Sequence, residues 1–183
     1  MPNVLVPIAE GSEELEAVTI IDILRRGGVD VTVAGLDEGP VTMSRGVKIA
    51  PDATLDAALA DAYDMVVLPG GAKGAEHMAN DSRINALLKA MAASGKFTGA
   101  ICAAPTVLAK AGLLAGKRAT GYPGHLEKLG LPDIQLVEEP VVRDGQIVTS
   151  RGPGTAMDFA LALVELLVGV EKRAEVEKGL ERL

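Results

Sequence analysis

Short apolar runs alternate with helical patterns along the chain. The runs at residues 4–9, 29–34, 63–69 and 97–101 are mostly apolar and five to seven residues long. Continuous apolar runs of this length are typical of strands that are buried on both faces of a parallel sheet. We therefore predict a buried parallel strand at each of them.

Helical signals separate these runs. Ser12 can cap a helix that carries acidic residues in its first turn and ends at the glycine pair 27–28. Apolar spacing predicts further helices over residues 83–93 and 154–168, and a charged amphipathic helix over residues 171–183.

The pattern changes between residues 134 and 150. The short runs 134–137 and 146–149 flank the tight-turn sequence Asp144-Gly145. Two strand-like runs around such a turn predict a β-hairpin.

Repeated strand–helix units predict an α/β architecture, with an open, mostly parallel sheet and helices on both faces. We expect residues 1–183 to form a single domain. Sites in such sheets lie beyond the carboxyl ends of the strands, where the strand order switches. Residues 10–16, residues 69–71 and the Cys102-Ala103 pair all follow strand ends, and they converge if their strands are neighbours.

The only cysteine, Cys102, lies where a strand gives way to a turn and then to a helix. A sulfur there faces the free N–H groups and the positive dipole end of the helix, which favour the reactive thiolate. This is the arrangement of a nucleophile elbow, with cysteine where hydrolases have serine. A buried, inert structural cysteine is the alternative, and position alone favours neither.

Pro69-Gly70-Gly71 permits backbone conformations that a side chain would block. Its N–H groups, together with that of Ala103, could stabilise an oxyanion. Taken alone, the tripeptide is more simply explained as a turn.

Glu16 is unusual because helical spacing places it on one face with Ile20 and Ile23. Burial on an apolar face raises the pKa of a carboxyl group. A protonated Glu16 could donate a hydrogen bond to sulfur or act as a general acid or base. The alternative is a favourable acidic residue in the first turns of a helix.

Composition and charge argue against some classes of partner. The chain has 48% hydrophobic residues and a formal net charge of −7, and its basic residues do not cluster strongly. We therefore expect neither nucleic acid nor a membrane as the main partner. The single cysteine fits a reducing compartment, and no secretory or membrane-spanning run is visible, so we expect a cytoplasmic protein.

Familiar cofactor motifs are missing from the sequence. There is no Gly-x-Gly-x-x-Gly, and residues 70–75 lack the Gly-Lys-Ser/Thr ending of a Walker loop. One cysteine and the separated His77 and His125 form no metal-ligand pattern, so we expect no metal or other cofactor. We expect His77 at the surface and His125 in a loop, where it either approaches Cys102 or is merely solvated.

Taken together, these residues make the sequence resemble the DJ-1/ThiJ/PfpI superfamily and, within it, the branch that contains DJ-1 and bacterial YajL. The matching segments run nearly from end to end: AEGSEELE at 9–16, VTVAGL at 31–36, VLPGG at 67–71, AICAAP at 100–105 and TSRGPGT at 149–155. The resemblance implies a flavodoxin-like three-layer sandwich and a homodimer. It also implies that Cys102 is the reactive, easily oxidised cysteine and Glu16 its protonated partner.

The resemblance further assigns residues around the thiol, with the N–H groups of Gly71 and Ala103 as the oxyanion donors. We assign Gly70, Gly71, Ala103 and Tyr122 to the pocket, and the resemblance implies that Ser150, Arg151 and Pro153 form the segment beside it at the dimer interface. The residues implied to lie near the dimer interface are Asp22, Arg26 and Arg45.

Two positions depart from related patterns. The DJ-1 branch has a histidine near its cysteine in a Thr-His-Pro context, whereas this chain has Tyr122 at that position. Bacterial YajL-like members also lack that histidine. This weakens any Cys–His dyad, although His125 follows three residues later. Ala103 stands where the PfpI-type peptidase-like branch has histidine, which argues against a peptidase.

Two classes of function fit these residues. In the first, the protein is a cofactor-independent cysteine enzyme for which the resemblance implies glyoxalase or deglycase action, on small dicarbonyls such as methylglyoxal or on early glycation adducts. In the second, it is an oxidative-stress sensor or redox-regulated chaperone that works through oxidation of Cys102. One activated thiolate could serve both.

Overall fold

The structure is a computed structural model that describes residues 1–182. Its strands are β1 Asn3–Ile8, β2 Asp30–Gly35, β3 Val41–Thr42, β4 Lys48–Ile49, β5 Ala53–Thr54, β6 Met65–Leu68, β7 Phe97–Ile101, β8 Arg118–Ala119, β9 Gln135–Leu136, β10 Val141–Asp144 and β11 Ile147–Ser150. Its α-helices are α1 Glu14–Arg26, α2 Leu55–Ala58, α3 Ala72–Asn80, α4 Ser82–Ala93, α5 Pro105–Lys110, α6 Ala156–Val168 and α7 Val170–Gly179.

A seven-stranded sheet forms the centre of the fold, in the order β10-β11-β7-β6-β1-β2-β5. All neighbouring strands in it are parallel except β10, which runs antiparallel to β11. The chain passes from β1 to β2 on one side and later returns to β6 on the other, so the strand order switches between β1 and β6. This confirms the predicted flavodoxin-like α/β fold.

The apolar runs are continuous because the inner strands are covered on both faces. Along β1, Leu5 points into one core with α3, α4 and α5, whereas Val4 and Val6 point into another with α1 and α6. Phe159 of α6 is the largest fully buried side chain. Helices on both sides of one sheet give the predicted three layers.

The helix that carries Glu16 begins one residue later than the sequence predicts. The hydroxyl of Ser12 accepts a hydrogen bond from the Ala9 N–H at 3.0 Å and so closes the preceding turn. The N-cap is Glu13, whose carboxylate accepts the Glu16 N–H at 2.8 Å. Ser12 therefore closes the turn before the helix, and Glu13 caps the helix.

The turn of the hairpin lies where the sequence predicts it, but the prediction of its first strand is wrong. The turn at Gly145, which has a φ of +62°, joins β10 to β11. Residues 135–136 instead form β9, which pairs in parallel with β8 outside the main sheet. A two-residue turn requires strands that adjoin it directly, and residues 141–144 satisfy this whereas 134–137 do not.

The structure differs from the predicted helices at two further places. Residues 72–80 form α3, which the sequence pattern did not clearly predict. The predicted helix over 171–183 corresponds to α7, which ends at Gly179, and Leu183 lies outside the described residues. Within residues 1–182, none of the helices combines the length and apolarity needed to cross a membrane.

Candidate active site

The three segments that follow strand ends converge as predicted, because β1, β6 and β7 are neighbours in the sheet. The Glu13 N–H donates to the Gly70 carbonyl oxygen at 2.9 Å and joins the first segment to the second. The Cys102 N–H donates to the Ser150 carbonyl oxygen at 3.0 Å and ties the third segment to β11. The site therefore lies at the switch in strand order.

Cys102 occupies a strained turn between β7 and α5. Its φ is +64°, a left-handed conformation that non-glycine residues rarely adopt. The Ala104 N–H donates to the Ile101 carbonyl oxygen at 3.0 Å across this turn. Only 8% of Cys102 is exposed, and that part opens into a surface cleft. The predicted nucleophile-elbow geometry is thus present, and strain of this kind is often kept at functional sites.

Glu16 lies beneath the elbow with 0% exposure, on the buried face that it shares with Ile20 and Ile23. Its Oε2 accepts the Gly70 N–H at 2.7 Å. Within residues 1–182 its Oε1 has no hydrogen-bonded nitrogen or oxygen partner. The carboxyl group also interacts with the Cys102 side chain. Acid and thiol therefore form a buried pair.

Burial raises the pKa of Glu16 to about 7, although the hydrogen bonds from Gly70 and Cys102 act in the opposite direction. Burial, together with the charge and hydrogen bond of an ionised Glu16, raises the pKa of the Cys102 thiol to about 12. Those two effects of Glu16 disappear when it holds a proton. Glu16 is therefore the group of the pair that gains or loses a proton near neutral pH, whereas the thiol keeps its own.

The expectation that the helix end makes the thiolate favourable needs correction. The N–H groups of Gly71 and Ala103 do lower the pKa of Cys102, but burial outweighs them. The helix after the elbow, α5, has only six residues. Formation of the thiolate therefore depends on transfer of the thiol proton to an ionised Glu16.

The two glycines after β6 have separate tasks. Gly71 has a φ of +88°, and a Cβ there would lie 2.3 Å from the Gly11 carbonyl oxygen, so only glycine fits. Its N–H is close enough to the sulfur, as is that of Ala103, to lower the pKa of the thiol. The N–H of Gly70, which we expected to share in stabilising an oxyanion, is instead used by Glu16.

Cys102 opens into a cleft of about 510 Å³. Tyr122 and His125 line it, with ring centroids 5.9 Å apart and an interplanar angle of 80°. At its rim, Lys73 forms an ion pair with Glu10 at 3.2 Å. The cleft therefore exposes the sulfur beside aromatic, imidazole and charged groups.

The other predicted pocket residues separate into two groups. Pro153 lines the cleft with Cys102. Ser150 is buried, and its hydroxyl donates to the Pro140 carbonyl oxygen at 2.7 Å. Arg151 lines a neighbouring pocket, together with one side of Tyr122. Ser150 and Arg151 thus lie behind or beside the cleft and do not line it.

The residues predicted near a dimer interface are also spread out. Asp22 and Arg26 form an exposed ion pair of 2.8 Å along α1. Arg45 lines the cleft itself, on the loop between β3 and β4. That Asp22, Arg26 and Arg45 lie near a dimer interface stays a prediction.

Glu14 has a role that sequence reasoning missed, because it looked like an ordinary acidic residue of a first helical turn. Its carboxylate accepts the Ser44 hydroxyl and the Arg45 N–H, each at 2.8 Å. Burial opposes its charge, but these hydrogen bonds hold the pKa of Glu14 below its usual value. Glu14 therefore fixes the loop that forms one wall of the cleft.

Metal-ligating side chains do not gather at this cleft. In the part of the chain from Met1 to Arg182, no group of three or more His, Cys, Asp or Glu side chains is arranged to hold a metal ion.

The fold and the site define a flavodoxin-like protein with a cysteine on a nucleophile elbow. The sequence model of the DJ-1/PfpI family matches residues 2–166. Protein dj-1beta of Drosophila melanogaster is 47% identical over 179 residues, which are 97% of this chain and 96% of that protein. The chain belongs to the DJ-1/PfpI family.

Other comparisons agree with this assignment. The crystal structure of Drosophila DJ-1beta matches with a TM-score of 0.94 over 98% of this chain and 97% of that one. Oxidised DJ-1 of Toxoplasma gondii is 41% identical, with a TM-score of 0.94 over 98% of each chain. Glutathione-independent glyoxalase DJR-1.2 of Caenorhabditis elegans is 38% identical over 171 residues, 93% of this chain and 91% of that protein.

The raised pKa of Glu16 predicts how stability depends on pH. The folded state binds this proton more tightly than the unfolded state, so the stabilisation is complete below about pH 4.5 and is lost as pH rises through about 7. The free energy of unfolding of the wild type should therefore fall by about 3 kcal/mol relative to Glu16→Gln over that range.

Urea unfolding of both proteins at several pH values measures this difference. Glu10→Gln, which alters an exposed carboxylate at the rim, is the control and should follow the wild type. Parallel curves for wild type and Glu16→Gln would show that Glu16 keeps an ordinary pKa.

Proposed function

We propose that the protein is a cofactor-independent cysteine enzyme that converts small reactive dicarbonyls such as methylglyoxal into hydroxy acids. The observation that carries this proposal is that a fully buried Glu16 carboxyl group interacts with the Cys102 thiol at the bottom of an open cleft. A nucleophile, a proton carrier and two N–H donors stand within one site, as carbonyl addition requires.

The first step is addition of sulfur to the aldehyde carbon, C1. The Cys102 proton passes to the Glu16 carboxylate as the C–S bond forms, and the C=O electron pair moves onto oxygen. The N–H groups of Gly71 and Ala103, which already act on the sulfur, hold this oxyanion. Glu16 then protonates it and leaves a hemithioacetal.

The second step moves a proton from C1 to the adjacent carbon, C2. The hemithioacetal becomes an enediol and then a thioester of the hydroxy acid. Water then cleaves the C–S bond, which releases lactate and restores the thiol. One methylglyoxal and one water together have the atoms of one lactic acid, so the reaction consumes no oxidant or reductant.

The size of the cleft and a relative's name support this substrate class. At about 510 Å³ the cleft admits a three-carbon dicarbonyl and also larger groups, so early glycation adducts are a second proposed substrate. The Caenorhabditis elegans relative is named a glutathione-independent glyoxalase. A reactive thiol also needs a reducing compartment, so we propose a cytoplasmic location.

Lactate formation from methylglyoxal, without glutathione or added metal, tests the proposal. Wild type should form lactate, and Cys102→Ser should not exceed the uncatalysed rate, because the attacking sulfur is gone. Glu16→Gln keeps an acceptor for the Gly70 N–H but cannot exchange a proton, so its kcat should fall by about 100-fold.

Thermal unfolding of each variant checks that the fold is retained. Wild-type activity that survives in folded Cys102→Ser would remove the cysteine from the mechanism. Unchanged turnover in Glu16→Gln would remove Glu16 as the proton carrier.

A second candidate function is sensing of oxidative stress, which includes redox-regulated chaperone action. The observation that favours it is that the N–H groups of Gly71 and Ala103 and the Glu16 carboxyl group all act on one sulfur. These donors would hold a sulfinate in place. The related DJ-1 structure from Toxoplasma gondii is that of the oxidised protein.

Mild hydrogen peroxide tests this second function. Each peroxide oxidises sulfur by one oxygen and is reduced to water, so two equivalents should convert Cys102 to the sulfinic acid. Intact-mass spectrometry should show two added oxygens, and the melting temperature should rise. A cysteine that stays reduced, or that passes unselectively to sulfonic acid, would rule this function out.

We also propose a second copy of the chain as partner. Leu15 and Val18 are about half exposed on α1, and Val47 is similarly exposed on the loop beside it. Burial of these apolar side chains against a copy of themselves would stabilise a symmetric dimer close to the cleft.

A further inference from the structure

His125 is a cleft residue that the steps above leave unused. It is half-buried and lines the cleft together with Cys102. Within residues 1–182 neither of its ring nitrogens has a hydrogen-bond partner. His77 differs, since it lines another cleft and its Nδ1 lies 3.0 Å from the Glu10 carbonyl oxygen. Both nitrogens of His125 therefore remain available to a molecule in the cleft.

Backbone hydrogen bonds fix His125 relative to the elbow. The Tyr122 N–H donates to the Cys102 carbonyl oxygen at 2.8 Å, and the His125 N–H donates to the Tyr122 carbonyl oxygen at 3.1 Å. The next residue, Leu126, is buried in the core. Two consecutive hydrogen bonds and one apolar anchor thus hold the backbone of His125 beside the elbow, and its side chain lines the same cleft as Cys102.

Tyr122 also orients the imidazole ring. The two rings meet edge to face at 80°. Tyr122 itself lies against Gly152, where a Cβ would approach its Cδ2 to 3.2 Å. The ring that replaces the histidine of the DJ-1 branch therefore supports the imidazole three residues later.

The reaction requires a base that reaches substrate carbon. Glu16 has one oxygen occupied by the Gly70 N–H, and its proton exchange is with the sulfur and the oxyanion next to it. It lies beneath Cys102 with no exposure, whereas the substrate occupies the cleft above. A second proton carrier on the cleft side would complete the chemistry.

The other charged residues of the cleft do not meet this need. Glu10 is paired with Lys73, and Glu13 is engaged as the cap of α1. Arg45 is a guanidinium and accepts no proton. An imidazole, in contrast, is the commonest general base in enzymes.

We propose that His125 is the base that carries the substrate proton from C1 to C2, an inference that rests on the proposed function. Neutral imidazole takes the C1 proton, and the electrons of that C–H bond form the C1–C2 double bond of the enediol. The imidazolium then returns the proton to C2. The C1 hydroxyl proton passes to the C2 oxygen, so the step consumes nothing.

Turnover of methylglyoxal by His125→Ala tests this role. Its kcat should fall by about 100-fold with little change in KM, and added imidazole should restore a measurable part of the loss. The rate at which iodoacetamide alkylates Cys102 should stay the same, because His125 acts on the substrate and not on the sulfur. His77→Ala is the matched control and should keep the wild-type kcat.

The alternative results separate the two claims. An active wild type with an equally active His125→Ala would overturn the role of His125 alone. So would a loss of activity that imidazole does not restore, because it would assign His125 a structural role. A wild type that forms no lactate would overturn the proposed enzyme activity, and this inference with it.

Discussion

The hydrogen bond from the Gly70 N–H to the buried Glu16 carboxyl is the contact on which the site depends. It joins α1 to the end of β6 at 2.7 Å and holds the acid beneath the elbow. A carboxyl group without exposure keeps its proton to unusually high pH, since burial disfavours the charged form. The reactivity of Cys102 follows from this arrangement, because the thiol can lose its proton only to a neighbour that is able to hold one.

Close backbone approach makes this pair possible. A Cβ at Gly70 would lie 2.6 Å from both Cys102 Cβ and Glu16 Oε2, and a Cβ at Gly71 would meet the Gly11 carbonyl oxygen. Absence of side chains at these two positions lets three strand ends meet within hydrogen-bond distance. The strained φ of Cys102 completes the elbow, and the surrounding hydrogen bonds maintain it.

Sequence patterns predicted the sheet, the elbow and the burial of Glu16, since each depends on local periodicity or on an apolar helix face. They could not show that Gly70 would serve Glu16 and not an oxyanion, or that Glu14 would fix the loop at Ser44, because both contacts join distant segments. The thiol pKa was mispredicted for the same reason. The sequence shows where a helix begins, but the burial that raises the pKa of the Cys102 thiol exists only in the folded chain.

The most direct test of this account is the protonation state of Glu16 in the folded protein. Its side-chain carboxyl carbon, followed by ¹³C NMR and assigned by its loss in Glu16→Gln, should remain protonated at pH 6 and change with a pKa of about 7. A carboxyl group that is already ionised at pH 6 would contradict the account, because so weak a base would not take the proton of the Cys102 thiol.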